Sequence, residues 1–368
     1  QGTLRRILAV AFSATFSVAM VAPVLGELVE DDFFDGDGSK ASLFVAAVGG
    51  GSAFLEFLTN PLLGAASDQW GRKPVLLFSL MGTFLALAVL GAYPSKGTFV
   101  AAGVLRGLTS VSGAMLFTMV SDVSEAVQQD TKHITKNTGF MLGAAAVGLV
   151  LGPGAGGALS VVSLQATVIG SAIMQLVALI CAYCILPETL GTSVPFSFRR
   201  HNSFGSLKLL CSSKPLVLLS TVLVLGTCTS VNGVYLQVPF YSETKFSWEA
   251  LQVGGLLVIG GISIIVVQAG GAKFLVPRWG GPNRTLLIAY PVGVLQFILL
   301  GLAPSGWMWF VIIPATSLFY LQAPAVRALL ANHVSADSQG RLQGGISALT
   351  TLTSAVAPLA ASGMFIVS

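Results

Sequence analysis

The chain has 368 residues, 54% hydrophobic and 9% charged, with 42 glycines and a mean hydropathy of +0.82, which excludes the wettable surface of a soluble globule and makes lipid the main solvent. A net charge of +4 does not point to nucleic acid, because Lys and Arg stand singly or in pairs between apolar runs rather than on one stripe. Four cysteines form no disulfide framework, and Cys181-x-x-Cys184 lies in an apolar run with no second pair and no nearby histidine, so neither a metal site nor a cofactor is expected.

Charge, Pro and Gly clusters divide the chain into eleven apolar segments near 4–28, 41–66, 75–93, 99–121, 137–160, 164–187, 215–240, 249–273, 284–303, 306–331 and 341–367. Each is long enough to cross a bilayer as a helix. The first follows Arg5-Arg6, exceeds a signal-peptide core in length and lacks a small-residue cleavage site, so it reads as a membrane helix. After it comes Glu30-Asp-Asp-Phe-Phe-Asp35-Gly-Asp37, read as a solvated loop, with a cation-gathering vestibule as the alternative. Between the sixth and seventh segments lies the longest polar connector, 191–214. It reads as the linker between an N-terminal six-helix half, 1–190, and a C-terminal half, 215–368, of which five helices are present. A twelfth helix is expected to be missing from this chain.

Charge bias sets the orientation. With the N-terminus in the cytosol, or an equivalent inner compartment, fifteen Lys and Arg residues from Arg5 to Arg341 fall on the inner side together with the linker, and only Lys40, Lys96 and Lys245 fall outside. The Asn283-Arg284-Thr285 sequon is then inside and expected to carry no glycan.

Between the second and third segments, Gly64-Ala-Ala-Ser-Asp68-Gln-Trp-Gly71-Arg72-Lys73-Pro74 supplies glycines for a sharp turn, a carboxylate to cap a neighbouring helix and two fixed cations. Trp279-Gly280-Gly281-Pro282-Asn283-Arg284, after the eighth segment, echoes it with Pro277 in the place of Asp68. On the fifth segment, Gly148, Gly152, Gly156 and Gly157 clear side chains from the helix surface, while Pro153 permits a bend, which suits a moving interface or simply a glycine-rich packing face.

Only Glu56 and Arg106 place ionisable groups deep in the apolar segments. Either charge left in lipid costs at least about 2.5 kcal/mol, so each must face a central cavity, a partner or both. Ser52, Glu56 and Asn60 recur at i, i+4 and i+8, one polar stripe on an apolar helix. The couple could carry a proton, with Glu56 as carrier, or stand as a static ion pair. Uncharged candidates for the rest of a substrate cavity are Ser110, Thr227, Asn232, Tyr235, Gln237, Tyr320, Gln322, Gln343, Ser347, Thr350 and Ser354, with plain helix packing as the alternative. Such a lining suits a moderately hydrophobic or anionic organic solute better than a sugar or a metal ion.

The loop from Gly64 to Pro74 resembles the signature loop of the major facilitator superfamily. Gly148-x-x-x-Gly152-Pro153-x-x-Gly156-Gly157 is similar to that family's antiporter motif, and Leu105-Arg106-Gly107 to its membrane arginine site. Pro187-Glu188-Thr189 closes the sixth segment as in many members. Pro324-Ala-Val-Arg-Ala-Leu-Leu, Gln339-Gly-Arg-Leu-Gln343-Gly and Ala348-Leu-Thr-Thr-Leu-Thr-Ser354 resemble the tetracycline-efflux group of drug:proton antiporters. The resemblance implies an all-α integral membrane protein of two six-helix halves, a secondary transporter rather than an enzyme. It also implies a latch of Gly64, Asp68, Gly71, Arg72, Lys73 and Asp122, with Asp68 facing the region of Gly340 and Arg72 reaching Asp122 to hold an inner gate shut. Where the tetracycline group bears an acidic residue on its first helix this chain has Ala14, which weakens tetracycline itself as substrate and shifts any coupling role onto Glu56.

The reading that follows is proton-coupled antiport of a small organic solute by a monomer in the bilayer. An organic-anion symporter or uniporter would use the same parts. The rival of another class is a non-transporting scaffold subunit bound to a membrane-complex partner.

Overall fold

The computed structural model describes residues 2–126, 131–191, 203–229, 238–334 and 339–367, and every regular element among them is helical. Helix α1 (Gly2–Ala19) passes through a short 3-10 turn at Ala22–Val24, where Pro23 withholds an amide, and resumes as α2 (Leu25–Phe34). The acidic stretch expected as a loop is therefore largely helical. Leu28, Val29 and Phe33 give α2 an apolar face packed against Val45 and Phe240, which draws the backbone into a helix and carries Glu30 inward, while Asp31 and Asp32 stay exposed.

Asp37 caps α3 (Gly38–Trp70) by accepting from the Lys40 amide at 3.0 Å. Gly71 alone, at φ +109°, separates α3 from α4 (Arg72–Ala92). The segment expected over 99–121 is two helices, α5 (Lys96–Thr109) and α6 (Ser112–Ala126). The break at Ser110 is supported from α4, whose Ser79 hydroxyl accepts from the amides of Val111 and Ser112, both at 3.0 Å. Then come α7 (Thr131–Ser160) and α8 (Leu164–Ile185), and α9 (Ser203–Leu210) lies within the expected linker.

The second half of the chain runs through α10 (Lys214–Thr227), α11 (Val238–Phe246) and α12 (Ala250–Val266). A π-helical turn at Val267–Gly271 leads to α13 (Ala272–Arg278), followed by α14 (Pro282–Leu302). Next are α15 (Trp309–Ala315), a 3-10 turn at Ser317–Leu321, α16 (Gln322–Asn332) and α17 (Gln339–Val367). Seven described stretches are long and apolar enough to cross a membrane, and an eighth is the pair Gly306–Ala315 and Ser317–Asn332, bent by 42°. The expected count of eleven is thus approximate, because α10 and α12 are shorter apolar helices. Rows of exposed apolar side chains, such as Phe54, Leu58 and Leu62 on α3, occupy the surface where a soluble protein would carry charge.

Two ends of the bundle differ in charge. One, here the basic face, holds the start of α1 with Arg5 and Arg6 and the Gly71 turn; the other, the acidic face, holds α2 and the start of α3. Among the described glycines, the close approaches between the two halves of the chain lie toward the acidic face or mid-helix. Gly26 of α2 sits on Pro239 of α11, Gly50 of α3 on Ala355 of α17, Gly157 of α7 on Gly254 of α12, and Gly261 of α12 on Val150 of α7.

Candidate functional site

Close packing of α3 on α5 creates the site. A Cβ at Gly107 would lie 2.6 Å from the Ser52 carbonyl, so only glycine allows this approach, and Thr59 Oγ1 then donates to the Gly107 carbonyl at 3.0 Å. That contact brings Glu56 on α3 and Arg106 on α5 onto one side of the crossing. Both line a cavity of about 360 Å³ together with Ser52, Thr83 and, from α17, Ser354 and Pro358.

A second cavity of about 640 Å³ shares Val18, Val21, Leu25, Thr83 and Arg106 with the first, so the two are lobes of one cleft. Its wall runs from Ala11 of α1 through the 3-10 turn to Leu25 at the start of α2, about 20 Å at the helical rise, and includes Ser110, Gln175 and Phe117. Among the described lining residues of both lobes, Glu56 and Arg106 are the only ionisable ones.

Glu56 lies beside Asn60 and Ser110 and within electrostatic range of Arg106. The couple is not a contact ion pair. The ion pairs within 4.0 Å among the described residues are Lys40 with Asp37 and Arg72 with Asp68 and Asp122. Glu56 therefore meets hydroxyl and amide groups at close range and the cation only beyond 4.0 Å, an arrangement in which a carboxyl can change protonation without tearing apart a bidentate bridge.

The other sequence candidates scatter. Tyr320 and Gln322 are buried in helix packing, where Tyr290 Oη donates to the Val222 carbonyl at 2.5 Å and lies 3.4 Å from Gln322 Oε1. Tyr320 lines a small void with Leu256, Leu257 and Ile313. Gln343 and Ser347 are exposed on α17 and line neither lobe, whereas Ser354 further along that helix does. Asn232, Tyr235 and Gln237 lie outside the described residues.

Sequence reasoning did not single out Gln175, a buried amide on α8 that donates to the Leu80 carbonyl at 3.3 Å and takes the Ser17 hydroxyl as a donor. Its signal was an amide midway along the apolar run from Leu164 to Ile185, whose other amide, Gln165, sits in the first turn.

At the basic face Arg72 joins three elements. Nη1 pairs with Asp68 and donates to Ser67 Oγ at 2.7 Å, and Nε donates to Asp122 Oδ2 of α6 at 3.2 Å. Thr189 Oγ1 donates to the same Asp122 oxygen at 3.3 Å. Glu188, noted in sequence only as the close of the sixth segment, accepts from the Arg72 amide at 2.9 Å and the Lys73 amide at 3.1 Å, so it caps α4 from beyond the end of α8. Lys73 Nζ donates to the Tyr183 carbonyl at 2.8 Å. These contacts all fall within the first half of the chain. The approach of Asp68 to Gly340 concerns a residue whose side-chain surroundings lie outside the described set.

The fifth-segment motif serves two neighbours at once. Gly148, Gly152 and Gly156, spaced by four, press on the α1 backbone, where added Cβ atoms would meet Phe12 O at 2.6 Å, Phe16 O at 2.7 Å and Met20 O at 2.0 Å. Gly157 and the Pro153 carbonyl instead face Ala250 and Gly254 of α12, at 2.8 Å and 2.5 Å from the respective added carbons.

Comparison with known proteins agrees with this architecture. The family model described as Major Facilitator Superfamily matches residues 7–358. The tetracycline resistance protein, class C, of Escherichia coli is 30% identical over 353 residues, covering 95% of this chain and 86% of that protein. The class G protein of Vibrio anguillarum is 29% identical over 324 residues, covering 85% and 78%. Among solved structures, the human organic anion transporter MFSD10 superposes with a TM-score of 0.70 at 22% identity, covering 99% of this chain and 94% of that one. The nucleoside transporter NupG (D323A mutant) superposes with 0.79 at 12% identity, covering 98% and 91%. The chain belongs to the Major Facilitator Superfamily, as an all-α, multi-pass integral membrane transporter.

Proposed function

We propose that this transporter is a proton-coupled antiporter of small organic solutes that exposes its cleft alternately to the two sides of the membrane. The observation that carries the reading is the pairing of Glu56 and Arg106 as the sole ionisable groups among the described lining residues of a cleft otherwise walled by apolar, hydroxyl and amide side chains. Glu56 is the proton carrier. Arg106 lies within electrostatic range of it and offers a cation to an anionic or polarised solute. The lobes' volume and apolar walls suit a drug-sized, moderately hydrophobic molecule. Relatives named for tetracycline resistance and a structural neighbour named as an organic anion transporter support that solute class.

Charge bias puts the basic face in the cytosol or its equivalent. The glycine contacts between α7 and α12 form the hinge surface, and the halves 1–190 and 215–368 rock about it. The clasp of Asp68, Arg72 and Asp122 acts as a latch for the gate at the basic face. A proton moving down about 100 mV supplies about 2.3 kcal/mol, enough for a substrate gradient of a few tens-fold.

The test is substrate-dependent proton flux in liposomes holding purified protein. Flux is expected in the native chain and lost by at least about tenfold in Glu56→Gln, since an amide can bind solute but cannot carry a proton. Undiminished flux in that variant sinks the carrier assignment.

A further inference from the structure

A second group of carboxyls lies far from Glu56, at the acidic face, where the two halves of the chain touch. Glu27, Glu30 and Asp31 come from α2 and Glu243 from α11. The halves can press together here because two residues lack side chains. A Cβ at Gly26 would lie 3.0 Å from Pro239 Cβ and 3.2 Å from Glu243 Oε2. A Cβ at Gly38 would lie 2.9 Å from Glu30 Oε2 and 3.1 Å from Thr244 Oγ1, which places a carboxylate oxygen of one half and a hydroxyl of the other around a single point.

Glu30 is only 8% exposed, and its Oε2 has no hydrogen-bond partner among the described residues. An ionised carboxylate oxygen left this way costs several kcal/mol. Protonation removes the charge and creates a donor. Thr244 Oγ1 has already given its own hydrogen to the Phe240 carbonyl at 2.9 Å, which leaves its lone pairs to accept.

Neighbouring charges do not offer another remedy. Facing Glu243 are Glu27, Glu30 and Asp31 on α2; Asp37, beside Lys40 at the start of α3, acts on Glu30, Glu249 before α12 acts on Glu27, and Lys245 shares the helix of Glu243. Lys40 is bound to Asp37 at 2.7 Å, Lys245 donates to the Gly301 carbonyl at 2.8 Å, and Lys96 lies over the Phe34 ring at 4.1 Å. Glu27 accepts from the Ala250 amide at 3.1 Å. Nor do the described residues contain a group of three or more acidic, His or Cys side chains arranged for a metal ion.

We propose that Glu30 and Glu243 form a proton-binding site between the halves, filled when the acidic face is shut and emptied when it opens. It is separate from Glu56 and rests on the reading that the two halves rock. Burial and the three carboxylates of α2 push Glu243, past the end of the expected seventh span, from 4.5 up to about 8. An opened face hydrates that carboxyl and returns it toward 4.5. Since closure raises its affinity for the proton, closure is favoured in full below pH 4.5 and loses that preference as pH rises through about 8. Within that window the ratio of closed to open forms changes by up to about tenfold per pH unit for one linked proton.

The experiment measures spin-label distances across the acidic face in liposomes, with Tyr93→Cys and Trp307→Cys labelled after the four native cysteines are replaced by serine. Both sites are exposed. Between about pH 5 and about pH 9 the native carboxyls are expected to give a long-distance population that grows with pH, its midpoint at or below about 8. Glu243→Gln should hold the short distance throughout. Glu30→Gln, which removes one repelling charge, should move the midpoint lower. A Glu243→Gln variant that keeps the native midpoint overturns the site while leaving the rocking motion intact. A face that never opens overturns it too, and a second label pair at Gln69→Cys and Arg278→Cys on the basic face then tells whether the rocking itself is absent.

Discussion

The two glycine turns at the basic face, one after α3 and one after α13, share a backbone and differ in everything attached to it. Gly71 stands at φ +109°, ψ 156°, and Gly281 at φ +104°, ψ −177°, a region essentially closed to any other residue, and each precedes a helix with proline in its first turn. Around Gly71 the turn is crowded: Glu188 caps it and Arg72 gathers Asp68 and Asp122. Around Gly281 no atom lies within 4 Å of an added Cβ, and Pro277 occupies the place of Asp68. The copied feature is the one that follows from local stereochemistry. The clasp is a tertiary addition to one copy.

Alanine at each turn separates these contributions and is expected to give the largest effect. Both Gly71→Ala and Gly281→Ala incur backbone strain of about 1–3 kcal/mol. At Gly71 the new methyl would also lie 2.4 Å from Glu188 Oε2, so the cap is displaced as well, at a further cost of about 1 kcal/mol. Thermal unfolding in detergent should therefore rank Gly71→Ala below Gly281→Ala. Equal melting temperatures would mean that the crowding is relieved without loss.

Arginine truncation comes next. Arg72→Ala leaves Asp68 and Asp122, about one quarter exposed, without the cation between them, a loss of about 1–3 kcal/mol after allowance for solvent screening. Arg284→Ala, at an exposed site in the second turn, should stay within about 0.5 kcal/mol. Added salt should narrow the gap between the two variants, since part of the first loss is screened Coulomb energy.

What sequence made legible follows the same division. The apolar segments, the glycine turn and its echo, and the polar stripe of Ser52, Glu56 and Asn60 are set by periodicity or by short-range stereochemistry, whereas the reach of Arg72 to Asp122, fifty residues away, was legible only through the family resemblance. Contacts between distant segments were hidden. Ser79 supports the break at Ser110 from another helix, so 99–121 read as one helix. The acidic stretch after Leu28 read as a loop because charge suggests solvent, whereas packing of Val29 and Phe33 folds it into α2 and buries Glu30. Tyr320 and Gln322 carry the same polar signal as Ser354, yet they are buried in helix packing, and nothing in spacing alone distinguishes a hydroxyl facing a cavity from one facing a neighbouring helix.

The smallest effect bears most directly on how the first turn differs from the second. Glu188→Gln keeps the shape and one acceptor oxygen of the side chain but removes the charge. Of the amides it serves, those of Arg72 and Lys73 open α4, and those of Thr189 and Leu190 belong to its own segment. An amide can meet only part of that demand, and it interacts less favourably with the positive end of the helix, so the expected loss is about 1 kcal/mol, below that of Arg72→Ala. If the cap acts only on α4, Glu188→Gln and Arg72→Ala should add, because one serves amides and the other side-chain carboxylates. If Glu188 instead fixes the segment that brings Thr189 onto Asp122, the two losses should overlap in a double-mutant cycle by about 0.5 kcal/mol or more. Overlap is the expected result, since Asp122 accepts from both Arg72 and Thr189, and Thr189 directly follows Glu188 in the chain.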